Sequence, residues 1–251
     1  MSTNGTKPGG PRQMANIALL IDADNAAPSS LDPVLTVLAE LGTVNIRRAY
    51  GNWSKPSLKG WSSVTHQYAI EPYQQFDVTK GKNATDMKMT IDAMDLLFGG
   101  RVDGFGIMSS DSDFAPLVSR IRQDGLPVYG FGTDKAPVAF RQACTRFIDV
   151  AAIEHRPGSV APPVRTPIGA DVIAVLTDAV AASKLDERGF ASLSEVGARA
   201  GNRSSFDARN YGFSRLSEMI EAIPGFSSEK REGGGVYVKR VPRAKNGSGK
   251  I

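Results

Sequence analysis

The chain has 251 residues, of which 41% are hydrophobic and 22% charged, the profile of a globular protein with room for two domains. Its single cysteine, Cys144, excludes an internal disulfide, and with only His66 and His155 beside it a zinc site is not expected. The net charge of +4 is uneven: beyond Pro157 there are 14 Lys and Arg against 10 Asp and Glu, while the preceding part holds 16 of each.

Residues 1–14 are polar and rich in Gly and Pro, without the apolar stretch of a signal peptide, and are expected to be disordered. No run approaches the roughly 18 apolar residues of a membrane span. A cytoplasmic protein without a membrane partner is the resulting expectation. Residues 16–21 form a continuous apolar run, as in a parallel strand buried on both faces. The run ends in Asp22-Ala-Asp-Asn25, a turn-forming cluster. Leu31, Val34, Leu35, Leu38 and Leu41 recur at helical spacing after Ser29 and Ser30, and Gly42 ends that helix. A second strand is predicted over 44–50, a loop and helix over 51–66, and a short strand over 69–73. The polar stretch 80–86 leads into a helix over 85–98, with Met87, Ile91, Met94 and Leu97 or Phe98 on one face. Strands over 104–108, 126–130 and 146–150 alternate with helices over 114–124 and 137–143. That alternation predicts an α/β class with a doubly wound parallel sheet sandwiched by helices.

The stretch 157–169 holds four prolines and two glycines and reads as a linker. Beyond it, helices over 170–183, 193–200 and 212–223, with Val236-Tyr-Val238 and a glycine-rich turn, predict a small winged-helix domain. Leu193, Val196, Phe213, Leu216, Ile220 and Phe226 are its expected core. The domain limits are therefore 15–154 for the α/β domain, 155–168 for the linker, 169–240 for the winged helix and 241–251 for a basic flexible tail.

The placement of the acids carries the chemistry. Ligands of an open parallel α/β sheet bind beyond the carboxyl ends of the strands. Asp22 and Asp24 follow the first strand, Asp111 and Asp113 follow a later one, and Asp86 opens a helix. Carboxylates gathered on one rim repel one another unless a cation neutralises them, and hard oxygen ligands suit Mg2+ or Mn2+. Such a site can activate water and stabilise the charge that develops on a phosphodiester. Each residue also has a plainer reading: Asp22 as a turn residue, Asp24 and Asn25 as caps, Asp86 as a helix N-terminal acid, Asp111 and Asp113 as caps, Ser109 as a small turn residue. Lys80, Lys82, Arg47 and the neighbouring Arg48 are candidates for phosphate contact, and Trp53 and Trp61 for base stacking or for packing.

These motifs resemble a known family. Ala18-Leu-Leu-Ile-Asp-Ala-Asp-Asn25, Lys82-Asn-Ala-Thr-Asp86, Met108-Ser-Ser-Asp-Ser-Asp-Phe114 and Gly125-Leu-Pro-Val-Tyr-Gly-Phe-Gly132 are similar, in order, to the LabA-like branch of the NYN domain. The resemblance covers about residues 14–152. It implies the PIN-like nuclease fold, and Asp22, Asp86, Asp111 and Asp113 as a catalytic, metal-binding set, with Asp24, Asn25 and Ser109 in support. Phe190-Ala-Ser-Leu-Ser-Glu-Val-Gly197 and the spacing from Gly212-Phe213 to Ile223-Pro-Gly-Phe226 resemble an OST-HTH, or LOTUS, domain. Members of that family bind RNA, or in some cases proteins, and Arg199, Arg203, Arg209 and Arg215 are the RNA-contact candidates it suggests.

The combined expectation is a ribonuclease dependent on Mg2+ or Mn2+, acting on RNA, single-stranded for preference, and aided by a C-terminal module tethered nearby. Two other readings stay open: a non-catalytic RNA-binding adaptor, and a phosphohydrolase on small nucleotides. Protein partners of the C-terminal domain and a homodimer also stay open, the latter with no exposed apolar stripe evident in the sequence.

Overall fold

The structure, a computed structural model, describes residues 14–76, 84–154 and 165–241. A six-stranded sheet has the order β3-β2-β1-β4-β5-β6, with every neighbouring pair parallel. Its strands are β1 (Asn16–Asp22), β2 (Thr43–Gly51), β3 (Glu71–Gln74), β4 (Gly104–Met108), β5 (Val128–Gly132) and β6 (Arg146–Asp149). The helices are α1 (Leu31–Ala39), α2 (Trp61–Gln67), α3 (Ala84–Phe98), α4 (Ala115–Gln123), α5 (Val138–Ala143) and α6 (Val150–Glu154). This is the α/β parallel sheet between helices that the alternating pattern predicts, in the PIN-like arrangement that the resemblance implies.

β1 shows why its sequence is apolar throughout. Ile17, Leu19 and Ile21 point into one core layer, with Val34 and Leu38 of α1, Trp61 of α2 and Ile153 of α6. Ala18 and Leu20 point into the other, with Met89 of α3, Val118 of α4 and Phe140 of α5. A strand covered on both faces has no polar side, so alternation disappears.

Three local expectations are corrected. β5 starts at Val128 rather than 126, because Gly125 turns the chain at φ 88° and Pro127 has no N–H for the ladder. Val150, expected as the last residue of β6, instead opens α6. Apolar residues of α3 do not all face inward: Met87, Ile91 and Phe98 are exposed, whereas Thr85, Met89, Asp92, Ala93 and Leu97 are buried. Asp92 tolerates burial because Arg48 Nη1 bonds its Oδ2 at 2.9 Å and the Tyr50 hydroxyl donates to the same oxygen.

The C-terminal part has α7 (Ala170–Ala182), α8 (Leu193–Gly201) and α9 (Leu216–Ala222). They pack against a three-stranded antiparallel sheet of order β7-β9-β8, built from Ala191–Ser192, Val236–Arg240 and Phe226–Lys230. Leu193, Val196, Phe213 and Ile220 are buried, with Leu216 and Phe226 packed partly buried against them. α9 begins four residues later than the predicted 212, because Gly212 at φ 79° ends a 3-10 turn and Arg215 is extended before the helix. Among the described residues no helix is long and apolar enough to cross a membrane. The predicted disordered start and basic tail fall almost wholly outside the described residues, as does most of the linker.

Candidate metal centre

β1 lies between β2 and β4, so the chain leaves it on one side for β2 and returns on the other as β4. Ligand crevices of open α/β sheets form where strand order reverses in this way. Asp22 is the last residue of β1, and Ser109 directly follows β4. Asp86 sits in the first turn of α3. Asp111 caps the 3-10 turn after β4, its Oδ1 accepting from the Asp113 N–H at 2.9 Å.

Carboxylate oxygens of Asp86, Asp111 and Asp113 lie within 4.8 Å of one another. Asp22 stands beside this trio, fully buried. Its Oδ2 accepts from Ser109 Oγ at 2.7 Å and from Asn25 Nδ2 at 2.9 Å. Its Oδ1 is buried with no hydrogen-bond partner. Ser109 Oγ in turn accepts the Asp111 N–H at 3.0 Å, so one hydroxyl links the ends of β1 and β4. Gly132 keeps this loop in place by lacking a side chain, since a Cβ there would stand 2.6 Å from the Ser109 carbonyl oxygen.

The electrostatics follow from this crowding. Burial pushes the Asp22 carboxyl above its usual value; the Ser109 and Asn25 bonds oppose that, and the charges of Asp24 and Asp111 add to it. Asp86 is pushed up to about 6, by burial first and then by the negative charges of Asp22, Asp111, Asp113 and Asp24. A dication would satisfy this donor set: hard oxygens converge, the local charge is negative, and a buried carboxylate oxygen is unpaired.

The remaining candidates divide. Asp24 pairs with Lys55 at 3.3 Å and accepts from Thr85 Oγ1 at 3.5 Å, which ties the loop after β1 to α3. Lys55 lies outside every quoted motif, and Thr85, though inside Lys82-Asn-Ala-Thr-Asp86, is given no role by the sequence reading. Lys80 and Lys82 lie outside the described residues. Arg47 directs its guanidinium to the carbonyls of Val44 and Tyr68, so it is engaged with backbone rather than turned to the acids. Trp53 donates Nε1 to the Tyr73 carbonyl at 2.9 Å, which ties its loop to β3, and Trp61 is buried, packing α2 into the core. Arg199 pairs with Glu195 on its own helix, and Arg203 with Asp178 of α7. Arg209 is not presented to a ligand: it is buried, paired with Asp207 at 3.1 Å and with Glu40 of the α/β domain. Arg215 is exposed and, with Arg146, borders a cleft between the two domains.

The NYN domain model matches residues 16–154, and the OST-HTH/LOTUS domain model matches residues 170–238. An uncharacterised protein of Methanocaldococcus jannaschii is 28% identical over 128 residues, 47% of this chain and 48% of that protein. The chain thus spans about half the length of the curated relative it matches. A crystal structure of a protein of unknown function from Vibrio parahaemolyticus aligns with TM-score 0.46 at 19% identity, covering 56% of this chain and 96% of that one. A carbohydrate transporter from Acidothermus cellulolyticus in complex with myo-inositol aligns with TM-score 0.29 at 11% identity, covering 76% and 52%. Neither structure is similar enough to assign this chain a fold or a function.

Proposed function

The chain belongs to the NYN domain family, within the PIN-like nuclease superfamily, and from that premise we propose that it is a divalent-metal-dependent ribonuclease. The observation that carries the reading is the convergence of Asp86, Asp111 and Asp113 beside a buried Asp22 whose Oδ1 is unpaired. Asp22, Asp86, Asp111 and Asp113 are the residues that would hold Mg2+ or Mn2+. When bound, such a cation supplies an activated water and positive charge for a phosphodiester under in-line attack. Ser109 and Asn25 fix Asp22 through one oxygen and leave the other uncommitted. The backbone cap between Asp111 and Asp113 sets how those two carboxylates face Asp86.

The substrate in this proposal is single-stranded RNA, with the OST-HTH/LOTUS domain adding affinity through phosphate contacts. Arg215 is the best-placed of the four C-terminal arginines, because it is exposed at the cleft facing the α/β domain. The compartment proposed is a reducing cytoplasm, where the lone Cys144 stays a buried thiol pushed up to about 12 by burial.

The test is incubation of the full chain with mixed single-stranded RNA in Mn2+, in Mg2+ and in chelator, beside an Asp22→Asn, Asp111→Asn double variant. We expect cleavage that needs metal and is lost in the double variant. RNA binding without cleavage in either metal would replace the nuclease with an adaptor. Hydrolysis confined to mononucleotides would replace it with a nucleotide phosphohydrolase.

A further inference from the structure

The open edge of the six-stranded sheet at β6 is covered by the C-terminal domain. The Phe147 N–H donates to the Ser205 carbonyl at 2.8 Å. The Asn210 side-chain amide then spans the strand: Nδ2 donates to the Phe147 carbonyl at 2.8 Å and Oδ1 accepts from the Asp149 N–H at 2.9 Å. One side chain so reproduces the donor and acceptor that a further strand would offer. Beside it, the buried Arg209 joins Asp207 on its own turn to Glu40 at the end of α1, and Arg146 of β6 lies 3.9 Å from Asp207. Backbone, amide and ion pair fasten the same short turn (residues 205–210) to two elements of the α/β domain.

Register fixes where this attachment lies. Ile21 of β1 pairs with Met108, Met108 with Phe131, and Phe131 with Ile148 of β6. Asp149 therefore stands at the same level of the sheet as Asp22, three strands away. Strand spacing puts that separation at about 14 Å. The attachment is thus at the carboxyl end of the sheet, on the side of the acids.

We propose that Asn210 is a positioning residue that clamps the C-terminal domain to the β6 edge as a fixed arm, so that RNA held by the domain meets the acids at a set distance. This rests on the ribonuclease reading for its second half only. A domain free on its linker would present RNA over a range of distances and would give scattered cuts. A clamped domain gives a narrow set of cuts at a constant offset from the segment it holds.

The experiment compares the full wild-type chain with Asn210→Ala and Asn210→Gln by amide hydrogen exchange and by cleavage of a long end-labelled RNA in Mn2+. In Asn210→Ala the Phe147 and Asp149 amides are expected to exchange about tenfold faster, with the β1 and β4 amides unchanged. The cuts should spread along the long RNA, while the rate on an RNA too short to reach the arm stays at the wild-type value. Asn210→Gln keeps the amide on a longer stem and should recover part of both effects. Equal exchange of the two amides in wild type and Asn210→Ala would overturn the clamp. Faster exchange with an unchanged cut pattern would overturn the positioning role. A wild-type chain that cuts no RNA would remove the nuclease reading and the positioning role together, and the clamp would still be decided by exchange alone.

Discussion

Asp22 and Asp86 are carboxylates placed where folding alone would not put them. Asp22 is buried with one oxygen unpaired, and Asp86 faces four other acids. The folded Asp86 titrates at about 6 against 3.8 for the ordinary carboxyl, so between those values the folded chain keeps a proton the unfolded chain has released. Its contribution to stability is therefore fully present below the lower value and is lost as pH rises through the upper one; Asp22 shifts in the same direction. The expected outcome is that the metal-free chain loses urea resistance from about pH 4 to about pH 7 more steeply than Asp86→Asn. Saturating Mn2+ should restore that resistance at neutral pH, because the cation binds the ionised site. Equal slopes for wild type and Asp86→Asn would mean that neither burial nor the neighbouring acids raise the Asp86 carboxyl in the folded chain. The acids themselves are legible in the sequence, since each follows a strand end or opens a helix. Their supports are less so: Lys55 and Thr85 reach Asp24 across the fold, and no spacing along the chain reports such contacts.

Helix α3 shows how element-level reading succeeds in one respect and fails in another. Its existence and near-exact span follow from its sequence pattern, but its buried face does not. Apolar periodicity gathers Met87 and Ile91 on one face with Met94, and the structure exposes both. The inward face instead carries Asp92, which Arg48 and Tyr50 of β2 hold. A period count scores an acid as outward because it does not see the cation waiting on a neighbouring strand. β1 is legible because its burial is two-sided and needs no partner chemistry. The two assignments of α3 separate cleanly by mutation. Met87→Ser and Ile91→Ser should each change stability by no more than about 0.5 kcal/mol, as exposed positions do. Met89→Ser, at a fully buried position, should cost about 3 kcal/mol. Urea midpoints of the three variants decide it, and a large loss at Ile91 with little at Met89 would restore the face that periodicity suggests.

At the scale of the whole molecule, the sequence separates two domains but does not show that they touch. The proline-rich stretch suggests a tether, yet Ser205, Arg209 and Asn210 meet β6 and α1 directly. Contacts between residues so far apart in the chain leave no periodic trace, and Arg209 looks from sequence like any other basic surface residue. The four C-terminal arginines consequently split by environment rather than by charge. Arg215 is exposed at the interdomain cleft, whereas the Arg209 side chain is only 7% exposed and lies against an Asp207 that is 4% exposed. Arg215→Ala should weaken binding of single-stranded RNA and lower the slope of log affinity against log salt by about 0.7, the release of one phosphate's counterion, with stability unchanged. Arg209→Ala should do the reverse. It removes the guanidinium at 3.1 Å from the buried Asp207, leaving Arg146 at 3.9 Å, and should cost about 3 kcal/mol of stability, while the salt slope of RNA binding stays as in the wild type. Fluorescence anisotropy over a salt series, with urea unfolding of the same two variants, measures both quantities. If Arg209→Ala lowered the salt slope as Arg215→Ala does, its guanidinium would have to leave Asp207 and Glu40 to meet RNA, and the joint between the domains would open whenever substrate binds.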